Sequence, residues 1–207
     1  MLVLLFAGEQ SFDIHYLYSM ASGKKTCWFL GDSWVHWLKV YCEGKGSAFN
    51  LDLENVEVVW FGQRGMRWRR VLPSLQSMHS GVHPDVIIIH CGGNDLGNLR
   101  GISLIRMMKQ DLIKIMELYP DSTVLFSTIA ERQQWMWSTE FGPKFERARR
   151  NLNKVMSAFM RDYGMLSVRH FNICSAETSL FRHDGVHLTD RGNAFFLSNI
   201  RNAITSL

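Results

Sequence analysis

The stretch CWFLGDSWVHWLKVY, residues 27–41, joins a short apolar run to an amphipathic segment through a glycine turn. Residues 27–30 are apolar throughout, which is typical of a strand that is buried on both faces of a sheet. After Gly31 the apolar side chains recur three and four residues apart, so they lie on one face of a helix. The stretch therefore predicts a strand, a tight turn and a helix in succession.

The same alternation continues to the end of the chain. Four further strands are predicted, at residues 56–61, 86–90, 123–127 and 165–168. Helical stripes stand between or after them, within residues 71–75, 105–115, 148–159 and 196–204. Strands that alternate with helices indicate a parallel sheet covered by helices on both faces. The predicted fold class is α/β, with a central parallel sheet of about five strands.

Length and composition favour one folded domain. The 207 residues are 46% hydrophobic and 20% charged, which is ordinary for a globular chain and argues against a disordered one. We assign residues 25–207 to this domain and residues 1–24 to an N-terminal tail or an extra edge element. No apolar run approaches the roughly 18 residues of a membrane span.

Charge and cysteine content restrict the partners and the compartment. The net charge of +4 permits an anionic partner without requiring one. The four cysteines form no CxxC pair, so we interpret them as free, mostly buried thiols in a reducing compartment and expect a cytoplasmic location. No metal site is predicted, because the histidine pairs lack a third ligand.

Ser33 stands between the first strand and the first helix, where the Gly31-Asp32 turn bends the backbone sharply. The helix that follows would direct its N–H groups and the positive end of its dipole at this serine. A serine hydroxyl is a weak nucleophile and needs an adjacent base. His187, just before the last helix, is the candidate base, and Asp184 is the group that orients its ring.

Acyl transfer also needs hydrogen-bond donors for the charge that develops on the carbonyl oxygen. Three candidates are the N–H groups of Ser33 and Gly65 and the side-chain amide of Asn94. Each lies in a segment that follows a predicted strand. Because the carboxyl ends of parallel strands meet at one edge of a sheet, we expect these groups to converge there.

Four segments resemble, in the same order, the sequence blocks of the SGNH, or GDSL, hydrolase family. They are FLGDS at residues 29–33, FGQRG at 61–65, GGND at 92–95 and DGVH at 184–187. The resemblance implies a three-layer α/β/α flavodoxin-like fold, esterase or lipase chemistry without a cofactor, and a small acyl or acetyl ester as substrate. It also implies Ser33, Gly65, Asn94 and His187 as the name-giving residues, with Asp184 completing the triad. The glycine block departs from the family pattern at Trp60, where the family often has asparagine.

A narrower similarity is to SGNH-like domains encoded by vertebrate retroelements, and it rests on residues 82–97 and 184–193. It leaves open a second hypothesis, a catalytically silent SGNH-fold module that binds RNA, lipid or protein. Two arginine runs, at residues 64–70 and 147–150, would favour weak contact with nucleic acid, although a solvated helix face is the plainer interpretation. Trp34 and Trp137 are candidate substrate-binding residues, although tryptophans more often pack in the core.

Overall fold

The computed structural model describes residues 23–78, 83–135 and 142–207. The strands are β1 (Lys25–Gly31), β2 (Val56–Gly62), β3 (Val86–His90), β4 (Thr123–Ser127) and β5 (Leu166–Val168). The helices are α1 (Ser33–Glu43), α2 (Val71–Met78), α3 (Gly101–Leu118), α4 (Gly142–Asp162) and α5 (Asp190–Thr205). Short 3₁₀ helices span Gly46–Asn50, Trp68–Arg70 and Thr178–Leu180.

The five strands form one parallel sheet in the order β2-β1-β3-β4-β5. Gly31 at the end of β1 pairs with Gly62 on one side and with His90 on the other. The carboxyl ends of the three neighbouring strands therefore stop at the same level. The loops that follow them carry the candidate catalytic serine, the glycine block and the GGND block, so the predicted convergence at one edge has a structural basis.

Two apolar layers, one on each face of the sheet, hold the helices in place. One layer packs α2, α3 and α4 against side chains such as Trp28, Ile87 and Phe126. The other packs α1 and α5 against Phe29 and Ile88. Successive residues of β1 and β3 enter opposite layers, as the alternation of a pleated strand requires. The α/β fold class and the five-stranded parallel sheet predicted from the sequence are confirmed.

The described residues also bear on the cysteine prediction. All four thiols are free, three of them are buried, and Cys174 is exposed.

Within residues 23–78, 83–135 and 142–207, no helix is both long enough and apolar enough to cross a membrane. The proposed tail lies almost wholly outside the described residues, so the domain boundary at residue 25 stays a prediction.

Candidate active site

Ser33 is the first residue of α1, and the residue before it fixes its position. Asp32 is fully buried and has extended backbone, and its Oδ1 accepts a hydrogen bond of 3.0 Å from the Trp34 N–H. This is the N-cap arrangement that satisfies a free N–H of the first helical turn. The Asp32 N–H donates to the carbonyl of His90, which ties the turn to the end of β3. The serine is thereby held at the sheet edge with the N-terminus of a helix behind it.

His187 is held by a loop that closes on itself between the last 3₁₀ helix and α5. The Arg182 N–H donates to the His187 carbonyl, and the Gly185 N–H donates to the Arg182 carbonyl. Gly185 adopts a φ of +65°, a left-handed conformation that glycine accepts without strain. The loop is also anchored from outside, because the Gly185 carbonyl accepts from the N–H groups of Gln133 and Gln134.

The serine, histidine and aspartate side chains form one hydrogen-bonded line. The Ser33 Oγ lies 2.9 Å from His187 Nε2, which is hydrogen-bonding distance. On the other side of the ring, His187 Nδ1 lies 2.7 Å from Asp184 Oδ2. The second oxygen, Oδ1, accepts from the N–H groups of Val186 and His187 at 2.8 and 2.9 Å. An Nδ1–H that donates to the carboxylate leaves Nε2 free to accept the serine proton.

The electrostatics keep Asp184 ionised. Partial burial opposes ionisation, but the hydrogen bonds from the His187 and Val186 N–H groups and from the His187 ring lower the pKa of Asp184 to about 2. A carboxylate that stays charged can stabilise an imidazolium when His187 takes a proton.

The loop that carries the glycine block, residues 61–65, and the loop that carries GGND contact each other and the Gly31-Asp32 turn. The Gln63 N–H donates to the carbonyl of Gly31, so the loop after β2 is tied to the residue two before Ser33. Gly65 lies in the exposed turn that follows, with a φ of +73°. Asn94 Nδ2 donates to the carbonyl of Met66 at 3.0 Å and lies 3.5 Å from Asp32 Oδ2. The contact to Asp32 is long, so the second amide hydrogen of Asn94 is only weakly engaged.

Arg132 is a site residue that our reading of the sequence missed. Its side chain is only 6% exposed, and Nη2 lies 3.4 Å from Asp32 Oδ2 while Nη1 lies 3.4 Å from Asn94 Oδ1. Burial raises the pKa of Asp32, and the Arg132 guanidinium and the Trp34 N–H partly offset this. The guanidinium also packs against Gly93, where an added Cβ would stand 2.5 Å from Nη2, so a side chain at this position would require the guanidinium to shift. The sequence signal that could have found it is its place in the loop after β4, another carboxyl end of the sheet.

The last residue of the GGND block, Asp95, supports the site from behind. It is 2% exposed, and its Oδ2 accepts from the Trp68 N–H at 2.8 Å. Burial raises the pKa of Asp95, and the hydrogen bond from Trp68 opposes that rise. The contact joins the loop after β3 to the 3₁₀ helix that follows the glycine block.

The other candidate residues have mixed outcomes. Trp34 is 3% exposed and packs against His90 and Phe196, so it contributes to the core under the serine, and its role in substrate binding stays a prediction. Trp137 lies outside the described residues. Arg149 is bound to Glu146, Glu131 and the Ile129 carbonyl, so the second arginine run is not a row of free cations.

The described part of the chain contains no cluster of three or more His, Cys, Asp or Glu side chains that could hold a metal ion.

Solved structures with this fold are numerous, and three illustrate the range. A GDSL-like lipase from Bacteroides thetaiotaomicron superposes with a TM-score of 0.71 at 13% identity, covering 94% of this chain and 97% of its own. A lipase/acylhydrolase from Enterococcus faecalis gives 0.68 at 17%, covering 88% and 96%. The psychrotrophic esterase EstA from Pseudoalteromonas gives 0.66 at 14%, covering 88% and 98%. At these identities the likeness shows the fold alone.

The sequence comparison is more direct. No curated protein has a significantly similar sequence. The profile of the GDSL-like Lipase/Acylhydrolase family, however, matches residues 19–195, which is most of the chain and includes all four motif segments. With the parallel sheet and the line of serine, histidine and aspartate at its edge, this match shows that the chain belongs to the GDSL-like lipase/acylhydrolase family.

Proposed function

We propose that this chain is a serine esterase that cleaves a small acyl or acetyl ester through an acyl-serine intermediate. The observation that carries the proposal is the 2.9 Å contact between Ser33 Oγ and His187 Nε2, with Asp184 on the other ring nitrogen. The match to the GDSL-like lipase/acylhydrolase family supports the reaction class.

In the first half-reaction the Ser33 hydroxyl gives its proton to His187 Nε2 while its oxygen attacks the ester carbonyl carbon. The tetrahedral intermediate then collapses, and the alcohol oxygen leaves with the proton from His187. In the second half, water gives a proton to His187 and attacks the acyl-serine, and the proton returns to Ser33 as the acid is released. Asp184 stays ionised throughout and stabilises the imidazolium.

For the oxyanion we propose three donors: the N–H groups of Ser33 and Gly65 and the Asn94 amide. The hydrogen of Asn94 that faces Asp32 at 3.5 Å is the one that would turn to the substrate oxygen. Arg132 would hold Asn94 in place for this, because Nη1 contacts the amide oxygen. The loss of one such donor typically costs about 10²–10³ in kcat.

The test is hydrolysis of 4-nitrophenyl acetate by the wild-type chain and by Ser33→Ala. We expect the variant to keep its fold and to lose hydrolysis and labelling by a fluorophosphonate probe, because the probe reacts with the activated serine. Ser77→Ala, which alters an exposed serine at the end of α2, is the matched control and should retain both. A wild-type chain that neither turns over the ester nor reacts with the probe would favour the silent binding module.

The compartment is a separate proposal. Free thiols at Cys27, Cys42 and Cys91, all buried, support a reducing environment such as the cytoplasm. Contact with nucleic acid has no support in the structure or in the comparisons, and it stays a hypothesis.

A further inference from the structure

Trp37 forms a wall beside the candidate catalytic histidine, and two arginines stack on it. Its ring centre lies 6.2 Å from that of His187, in an edge-to-face arrangement. The guanidinium of Arg182 lies 4.3 Å from the indole centre, and that of Arg64 lies 5.8 Å from it. Both cations are therefore within a few ångströms of an aromatic ring that contacts the proposed general base.

Three separate parts of the fold bring this group together. Trp37 lies four residues after Ser33, which is the spacing that puts two side chains on the same face of a helix. Arg64 belongs to the turn after β2 that also carries Gly65, and Arg182 belongs to the loop that carries His187. Two of these segments also carry the catalytic line, Ser33 on α1 and His187 with Asp184 on the last loop, so the fold places Trp37 and Arg182 next to that line.

Within the part of the chain that the structure describes, no carboxylate pairs with either arginine. Among the described residues, neither Arg64 nor Arg182 has a carboxylate oxygen within 4.0 Å. The carboxylates nearest to the reaction are already engaged, since Asp184 accepts from His187 and Asp32 is buried against Arg132. Arg182 uses its Nε–H to bind the Leu188 carbonyl, which leaves the other guanidinium N–H groups for a ligand.

Packing of the loops explains the contact of Arg182 with Trp37 but not that of Arg64. The bond from Arg182 to Leu188 would stabilise the loop in any case, but Arg64 is exposed and shows no side-chain hydrogen bond within the described residues. A guanidinium that stacks on an aromatic ring keeps its edge free, and that edge matches a carboxylate or phosphate in a two-point fashion. The chain has a net charge of only +4. Two arginines that have no carboxylate partner among the described residues, both stacked on the ring beside His187, are therefore a local excess of positive charge.

We propose that Arg64 and Arg182, held on Trp37, select a substrate that carries an anionic group, such as a carboxylate, close to the scissile ester. This inference rests on the esterase function proposed above and names its substrate class. A neutral acetyl ester would bind next to Ser33 and His187 without contacting Arg64 or Arg182. An acidic group a few bonds away, in either the acyl or the alcohol part, would reach them.

The experiment compares three esters: neutral 4-nitrophenyl acetate, mono-4-nitrophenyl glutarate with its carboxylate on the acyl side, and 3-acetoxybenzoate with its carboxylate on the alcohol side. The quantity measured is kcat/KM for each anionic ester divided by that for the neutral ester. We expect this ratio to fall about tenfold in Arg64→Gln and further in the double variant with Arg182→Gln, for at least one anionic ester. The side on which it falls identifies the part of the substrate that carries the charge.

Arg106→Gln is the control, because it removes an exposed cation from α3 on the other face of the sheet. It should leave every ratio unchanged. Added NaCl should lower kcat/KM for the preferred anionic ester and not for the neutral one. Ratios that stay within twofold in both Arg64→Gln and the double variant would overturn the inference while leaving the esterase proposal intact. A wild-type chain without turnover of 4-nitrophenyl acetate would instead overturn the proposed function, and this inference with it.

Discussion

Replacing Asp184 by asparagine is a test of how the carboxylate orients His187. One oxygen, Oδ1, accepts from the N–H groups of Val186 and His187, and the other faces His187 Nδ1 at 2.7 Å. An asparagine has only one oxygen. If that oxygen keeps the two backbone donors, its amide hydrogens point at Nδ1 and favour the ring tautomer that carries its proton on Nε2. In that tautomer Nε2 cannot accept the proton of Ser33.

The alternative orientation is worse for the loop. With the amide turned over, its hydrogens would face two backbone N–H groups, and two partly buried hydrogen bonds would be lost. The loss of one such bond costs up to about 1–3 kcal/mol when the site is fully buried. We therefore expect the first orientation and a fall in kcat of about 10³- to 10⁴-fold, or about 4–5.5 kcal/mol of activation free energy. Because the Asp184 side chain is 39% exposed, water can compensate in part, so the lower end of this range applies.

The comparison with Asp184→Ala sharpens this prediction. Alanine places no donor against Nδ1, so water can enter and accept from the ring in its productive tautomer. We expect the alanine variant to be more active than the asparagine variant, although it removes more of the side chain. Asp162→Asn, which neutralises an exposed carboxylate at the end of α4, serves as the control and should leave kcat unchanged.

The assay is steady-state hydrolysis of 4-nitrophenyl acetate, with urea unfolding to confirm that each variant is folded. An asparagine variant within tenfold of the wild type, or one clearly more active than the alanine variant, would contradict the tautomer argument. The carboxylate would then act only through its charge or through the loop.

Two further predictions concern packing and pH. Gly93→Ala should displace Arg132, since the new Cβ would stand 2.5 Å from Nη2. We expect the free energy of unfolding, measured in urea, to fall by about 1–3 kcal/mol and kcat to decrease. An unchanged free energy of unfolding would show that the guanidinium moves aside without cost. Burial lowers the pKa of His90 to about 3 and that of His170 well below its usual value, with a smaller contribution from Arg132 for His90. Both rings are therefore neutral in the folded chain but take a proton in the unfolded chain below about pH 6.5, so stability should fall with decreasing pH by up to about 1.4 kcal/mol per pH unit per histidine. Urea unfolding at pH 7, 6 and 5 measures this dependence of stability on pH, and His170→Asn should reduce it. A stability that rises on acidification would refute the conclusion that both rings are neutral in the folded chain.

The sequence by itself determined the elements and the motif segments. The strands at β3 and β4 have the predicted bounds, because short runs such as VIIIH and TVLFS, flanked by turn residues, reflect local preferences. The cap by Asp32 also depends on a neighbouring residue, since its side chain accepts from the Trp34 N–H. The edge of the sheet at which the motifs meet follows from parallel topology, since every such loop leaves a carboxyl end.

Only the tertiary structure decided which distant side chains touch. Ser33 and His187 are 154 residues apart, and Arg132 lies 100 residues from Asp32, so no periodicity relates them. The family resemblance named the first pair, but Arg132 belongs to no motif, and its role became visible only through its burial against Asp32 and Asn94. In the same way, no sequence pattern relates Arg64 and Arg182 to Trp37, the helix side chain on which both stack. Local sequence sets backbone preferences within a few residues, whereas these contacts depend on how the helices and loops pack around the completed sheet.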